Sequence, residues 1–101
     1  MSNLIELIER GGMHDFNVAL PEDGAGLSYS EAWDYVESYL VVWHNIDEFW
    51  ECRDLDQHDD FYSGFVNGAV WIATYDGDNE CWDFDFMTYE SYEEHPRRTH
   101  V

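Results

Sequence analysis

Ala69-Val70-Trp71-Ile72-Ala73-Thr74-Tyr75, then Asp76-Gly77-Asp78-Asn79-Glu80, then Cys81-Trp82-Asp83-Phe84-Asp85-Phe86-Met87-Thr88, is the stretch whose reading decides the fold. The first segment is rich in β-branched and aromatic side chains, which suit a pleated, half-buried surface. The middle segment carries Asp-Gly between apolar runs, a hairpin signal. The last segment alternates, with Trp82, Phe84 and Phe86 on one side and Asp83, Asp85 and Met87 on the other. A period of two puts one set on the core and the other outside. The expectation is a β-hairpin with an apolar face and a largely acidic one. An isolated hairpin is marginal in water, so the rest of the chain must cover it.

Upstream, Ser28-Tyr29-Ser30-Glu31 has the form of a capping box. It predicts a helix over Tyr29 to Asn45, with Tyr29, Ala32, Trp33, Val36, Tyr39, Leu40 and Trp43 inward and Glu31, Asp34, Glu37 and Ser38 outward. Asp15 to Leu20 alternates as a strand does, and Pro21 to Gly26 reads as a loop. Ser2 can cap a short first helix over Asn3 to Arg10, stopped by Gly11-Gly12. Asp47, Glu48 and Glu51 suit the start of another helix with Phe49, Trp50 and Cys52 inward, and Asp54 to Asp60 reads as a charged loop. Phe61 to Gly68 leaves a turn of helix and a strand both open, and Glu90 to Val101 reads as a polar tail. Together these predict an α+β fold: a small antiparallel sheet, one long amphipathic helix packed on it and a short N-terminal helix. A single domain is expected over residues 1–94, with a frayed tail over 95–101.

Composition limits what such a domain does. Twenty-three Asp and Glu oppose four Arg and no Lys, for a net charge of −19. Acidic disordered chains lack the aromatics needed to offset chain entropy, whereas this chain has five Trp, seven Tyr and six Phe. It is expected to fold and to hold a dense negative field on a rigid surface. Self-repulsion destabilises a folded polyanion, and a strongly basic partner is the natural compensation. The sign of the charge argues against nucleic acid and anionic membrane surfaces as partners. No 18-residue apolar run suggests a membrane span, and the first residues lack the pattern of a signal peptide. The cytoplasm of a host cell is the expected compartment, where Cys52 and Cys81 read as small buried hydrophobes, a disulfide between them being left open. An alternative source of the acidity is a high-salt habitat.

The charge is uneven. Residues 47–94 hold fifteen acids against Arg53 alone. Asp83 and Asp85 share one side of a strand at about 6.7 Å, while Glu31, Asp34 and Glu37 form a competing row on the helix at about 4.5 Å of rise per step. Both separations are of the order of that between phosphates on a nucleic-acid strand. Spacing of this kind arises on any exposed strand or helix, but an ordinary solvated face mixes both signs, and this one does not. In size, charge and aromatic content, and in the runs Asp54-Leu55-Asp56-Gln57-His58-Asp59-Asp60, Asp76-Gly77-Asp78-Asn79-Glu80 and Asp83-Phe84-Asp85, the chain resembles the small acidic DNA mimics of phages and mobile elements, the anti-CRISPR and anti-restriction inhibitors. The resemblance implies a protein inhibitor that blocks the nucleic-acid site of a basic host complex, a CRISPR effector or a restriction enzyme. The residues expected to carry the contact are Asp54, Asp56, Asp59, Asp60, Asp76, Asp78, Glu80, Asp83 and Asp85, with exposed tyrosines among Tyr35, Tyr62, Tyr89 and Tyr92 as anchors. An immunity protein against a basic nuclease toxin would use the same electrostatics.

Other chemistries fit less well. Asp76 to Glu80 fails the EF-hand pattern, because Gly stands at position 2 and Cys81 and Met87 fall where Gly and Glu are needed. Asp54, Asp56, His58, Asp59 and Asp60 offer a divalent-metal alternative, as a binding protein or a metal-dependent enzyme, although such clusters arise easily at this composition. The five His show no HxH or HExxH spacing. His44 near a helix end reads as a surface or cap residue. With no phosphate loop, no Lys and no nucleophile signature, no enzyme and no cofactor are expected.

Overall fold

The hairpin of residues 69–88 lies at the middle of a five-stranded antiparallel sheet. A computed structural model describes residues 4–13, 15–19 and 26–94 of the chain. The elements are α1 (Leu4–Glu9), β1 (Phe16–Ala19), α2 (Tyr29–His44), β2 (Arg53–Gln57), β3 (Phe61–Val66), β4 (Ala69–Asp76), β5 (Cys81–Met87) and α3 (Tyr89–Glu93). The strand order is β1-β5-β4-β3-β2. Strands β2 to β5 form a meander, and β1 returns to pair with β5, Phe16 opposite Phe84 and Val18 opposite Trp82. The fold is therefore α+β. The expected Ser2 cap, the end of the first strand at Leu20, residues 21–25 of the expected Pro21 to Gly26 loop and the 95–101 tail lie outside the described residues.

The two faces of the sheet bury different things. On one, Tyr62, Val66, Trp71, Ala73, Trp82, Phe84 and Phe86 share a core with Leu4 and with Ala32, Val36 and Leu40 of α2. On the other, Val70 and Ile72 pack with Phe61 and Tyr92. Because β4 is covered on both faces, its sequence reads as a continuous apolar run, whereas β5 alternates. The expected capping box is present: Ser28 Oγ accepts from Glu31 N–H at 3.1 Å and Glu31 Oε1 accepts from Ser28 N–H at 2.9 Å. At the other end Asn45 is left-handed (φ 57°) and its N–H reaches the Leu40 and Val41 carbonyls, so the helix stops at His44.

Aromatic contacts join these layers. Phe16 is stacked between Tyr39 (4.3 Å) and Phe84 (4.8 Å), which fixes β1 against both α2 and β5. Trp33 meets Trp71 edge to face at 5.1 Å, directly over Gly64. A Cβ on Gly64 would stand 2.7 Å from Trp33 Cζ2, 2.8 Å from Trp71 Nε1 and 3.0 Å from the Arg53 carbonyl. The indole N–H groups of Trp71 and Trp82 are buried without an acceptor, at a cost of about 1–3 kcal/mol each. Burying the roughly 150–250 Å² of a Trp side chain contributes about 4–6 kcal/mol, so packing wins over polarity at both positions.

Several expectations are corrected. Residues 47–52 form no helix, and Asp54 to Asp60 is not a loop, since residues 53–57 form the edge strand β2. Trp50, Cys52 and Trp43 are exposed rather than inward, Trp43 at 72%. Trp43 falls on the helical period but lies past the edge of the sheet-facing stripe, whose buried residues are Ala32, Val36 and Leu40. Cys52 and Cys81 are both free. Phe61 to Gly68 resolves into β3 and a turn, with Asn67 and Gly68 both at positive φ (51° and 81°) as a two-residue hairpin requires. Residues 89–93 are helical with Tyr92 buried, so the polar tail does not begin at Glu90.

Two substitutions test this packing by urea denaturation. Gly64→Ala should lower stability by about 1–3 kcal/mol through overpacking, and an unchanged midpoint would mean that the two indoles yield freely. Ser28→Ala should cost about 1 kcal/mol by loss of the cap.

Candidate partner interface

The loops β2–β3 and β4–β5 emerge at the same end of the sheet, tied by the Tyr75 N–H donating to the Asp60 carbonyl at 3.0 Å. Asp59, Asp60, Asp78 and Glu80 are exposed on these loops. The first turn of α2 reaches the same end: the Tyr62 hydroxyl donates to the Leu27 carbonyl at 2.8 Å, and its pKa is pushed up by burial first and then by the charges of Asp59 and Glu31. Asp76, at the root of the β4–β5 loop, is tied down by its own turn. It accepts from Asn79 Nδ2 at 2.7 Å and from the backbone N–H groups of Asp78 (3.0 Å) and Asn79 (3.4 Å). The Asn79 side chain, more than those N–H groups, holds the Asp76 carboxyl below the usual range. The loop is thus a rigid four-residue connection ending in left-handed Glu80 (φ 53°).

From this end an acidic row runs down β5, on the face turned away from α2. Asp83 pairs with Thr74 and Asp85 with Ile72, alternating with core residues Trp82, Phe84 and Phe86. Their positions are set by pairing with β4 on one side and, at Asp83, with Asn17 of β1 on the other. Asp83 is half-buried and Asp85 exposed. Burial, and then the charges of Asp83 and Asp76, pushes the Cys81 thiol up, which keeps it protonated and unreactive.

Asp54 and Asp56 do not join that row. The β2–β3 register slips between Asp54 and Gln57, so a bulge turns the two carboxylates to opposite faces of the sheet. Asp54 accepts from Trp33 Nε1 at 3.1 Å on the α2 side. On the other side Asp56 closes a ring: its N–H donates to Ser63 Oγ at 2.9 Å, Ser63 Oγ lies 2.6 Å from the Tyr92 hydroxyl, and that hydroxyl donates to Asp56 Oδ2. With Ser63 donating to Tyr92, every hydroxyl in the ring has an acceptor. The bulge also leaves backbone groups unpaired, and Tyr29 satisfies two of them, its hydroxyl donating to the Ser63 carbonyl at 2.5 Å and accepting from Leu55 N–H at 3.2 Å. Burial pushes the Tyr29 pKa up to about 12, and the Asp54 charge adds to the rise.

Seven of the nine expected contact acids are therefore placed on one end and one strand face, and two are structural. Among the described residues, no three His, Cys, Asp or Glu side chains converge as metal ligands, and the opposed directions of Asp54 and Asp56 break up the cluster proposed for residues 54–60. Of the four tyrosines, Tyr62 and Tyr92 are buried, while Tyr35 and Tyr89 are exposed. Sequence reasoning missed the roles of Tyr29, Ser63 and Tyr92, because a bulge leaves no periodic signal. It also missed the exposure of Val41, Val42 and Trp43, although two adjacent valines outside any apolar period hinted at it. Among the described residues, no helix is long and apolar enough to cross a membrane.

Tyr92→Phe should destabilise the protein by about 1–3 kcal/mol, since it leaves the Ser63 hydroxyl and the Asp56 carboxylate short of a partner. Faster amide exchange in α3, with the rest of the sheet unchanged, would locate the loss. Tyr29 has a higher pKa folded than unfolded, so its contribution is whole below about pH 10 and is lost as pH rises toward 12. Urea midpoints measured from pH 8 to 12 should fall in that window, and less steeply in Tyr29→Phe.

No family model matches the chain, and neither does any curated protein or solved structure.

Proposed function

We propose that the protein is a stoichiometric inhibitor that mimics nucleic acid and occupies the DNA- or RNA-binding groove of a host defence complex, a CRISPR effector or restriction enzyme, in the host cytoplasm. The observation that carries this reading is the gathering of Asp59, Asp60, Asp78 and Glu80 at one end of the sheet, continuous with Asp83 and Asp85 on β5. The one Arg among residues 47–94, Arg53, lies with its guanidinium 4.6 Å from the centre of the Phe65 ring. It is thus held on β2, at the opposite edge of the sheet from β5 and β1.

These acids stand on a hairpin loop stapled by Asp76 and on a strand paired on both sides at Asp83, so little ordering entropy is lost on binding. In this reading the amphipathic helix α2 packs on the sheet and stiffens it, and Tyr35 and Tyr89 add apolar area with a polar tip at the rim. Opposite charges steer the encounter, and salt weakens it. No step of the mechanism is chemical: carboxylates stand in for phosphates, and the target's groove is filled.

Tagged protein incubated with host lysate at low ionic strength should capture a nucleic-acid-binding complex and release it as salt is raised. Charge reversal of Asp83 and Asp85 together should cut capture more than tenfold. The control is Glu6→Lys with Glu9→Lys, both exposed on α1, whose Leu4 packs in the core on the α2 side of the sheet, away from the β5 acids. Glu31 is unsuitable as a control because its carboxylate closes the helix cap. Equal loss in both double variants, or capture of no such complex at low salt, would sink the proposal.

A further inference from the structure

The outer surface of α2 breaks the pattern of the rest of the molecule. A helix lying on a sheet turns polar residues to water. The last turn of α2 instead exposes Val41 and Val42, at 41% and 72%, with Trp43 beside them. Nothing local calls for these residues. Valine loses side-chain freedom in a helix, and exposed apolar area contributes nothing to folding. With Phe49, from the segment after the helix, the two valines line an open groove of about 380 Å³ whose other walls are Asp34, Glu37 and Ser38. The groove has an apolar end and an acidic end. By helical rise, Glu37 lies roughly 6 Å and Asp34 roughly 11 Å from Val41.

We propose that this groove docks a basic amphipathic helical segment of a protein partner. An apolar side chain of that segment seats against Val41, Val42 and Phe49, and a Lys or Arg one to two turns away meets Glu37 and Asp34. The proposal rests on the reading of a basic partner given above and adds a second, apolar contact on the α2 side of the sheet, away from the β5 acids. Charge selects the occupant. A second copy would bring the same carboxylates, on a chain of net charge −19, against their counterparts. Nucleic acid has the same wrong sign. A neutral apolar segment would fill one end and partly desolvate two carboxylates at the other, which a cation in the segment offsets. Trp43, adjacent and exposed, is the residue type that most often dominates such interfaces.

The probes are two synthetic peptides of about 18 residues, five turns of helix: one of Leu and Lys with a helical apolar stripe, the other of Lys alone. At about 0.15 M salt the Leu/Lys peptide should bind at least tenfold more tightly, with amide shifts concentrated in residues 34–49. Val41→Ser with Val42→Ser should reduce its affinity to that of the Lys peptide. Both sites are exposed, so the fold should survive, and circular dichroism checks this. Asp78→Asn with Glu80→Gln should leave the difference between the peptides intact. Equal affinities in the unmodified protein, a difference that survives the serine variant, or shifts confined to residues 59–60 and 76–80 would overturn the groove. A dimer in sedimentation that the serine variant dissolves would assign the face to a second copy and overturn it too. The Lys peptide separately tests the reading of a basic partner: if it binds and the Leu/Lys peptide gains nothing, only the groove is lost.

Discussion

Residue 64 can carry nothing larger than hydrogen, and much of the structure hangs on that constraint. With Gly there, the Trp33 and Trp71 indoles close over β3, and a Cβ would come within 3.0 Å of both rings. That approach brings α2 close enough for Trp33 Nε1 to reach Asp54 and for the Tyr29 hydroxyl to reach into the β2–β3 ladder. Tyr29 then satisfies the groups that the bulge in β2 leaves unpaired, and the bulge turns Asp56 toward Tyr92 and α3. Helix, edge strand and C-terminal helix are thus joined by hydrogen bonds that begin at one close contact of two rings.

This arrangement also explains how so acidic a chain folds. Self-repulsion grows with net charge and falls with separation. The acids are kept outside, on loops, on one strand face and on helix surfaces, while the interior is aromatic. Rings in edge and stacked contact run from Phe16 through Phe84 to Trp71 and Trp33. Such contacts are worth about 0.5–1.5 kcal/mol beyond the area they bury, and they act in the low-dielectric interior where no carboxylate has to go. Asp54, Asp56 and Asp76 are each tied down by a side-chain donor, from Trp33, Tyr92 and Asn79 respectively.

What was legible in the sequence follows from period and chemistry. The β4–β5 hairpin and α2 were readable because one face of β5 and one stripe of α2 are buried, which writes a period into the residues. The capping box was readable because it is local. β2 was not: only Leu55 among its five residues packs inward, and the bulge removes the alternation. β3 is half legible for a different reason: its aromatic segment suits a turn of helix and a strand alike, and the chemistry that separates them is the Asn67-Gly68 turn with its two positive φ angles. Trp43 obeys the helical period and is nevertheless exposed, because period reports which residues align and not how far the covering sheet extends. For the interface, the sequence could reveal how much acid was present but not which carboxylates were already occupied by Trp33, Tyr92 or Asn79.

The pairing of β1 with β5 has a consequence for how the chain reaches this state. Phe16 faces Phe84, 68 residues further along the chain, while β2 to β5 close through turns of two to four residues. Contacts between distant residues form late, because the loop entropy comes before the reward. The meander is therefore the local unit that can assemble first, and the strand nearest the N-terminus waits for the last one. On a ribosome, β1 emerges first and has nothing to pair with until β5 is made. Once β5 is made and until β1 docks, the stacking site between Tyr39 and Phe84 is empty and the β5 edge is open, so this step is the one most exposed to wrong pairing, and the negative charge already on the chain keeps neighbouring chains apart.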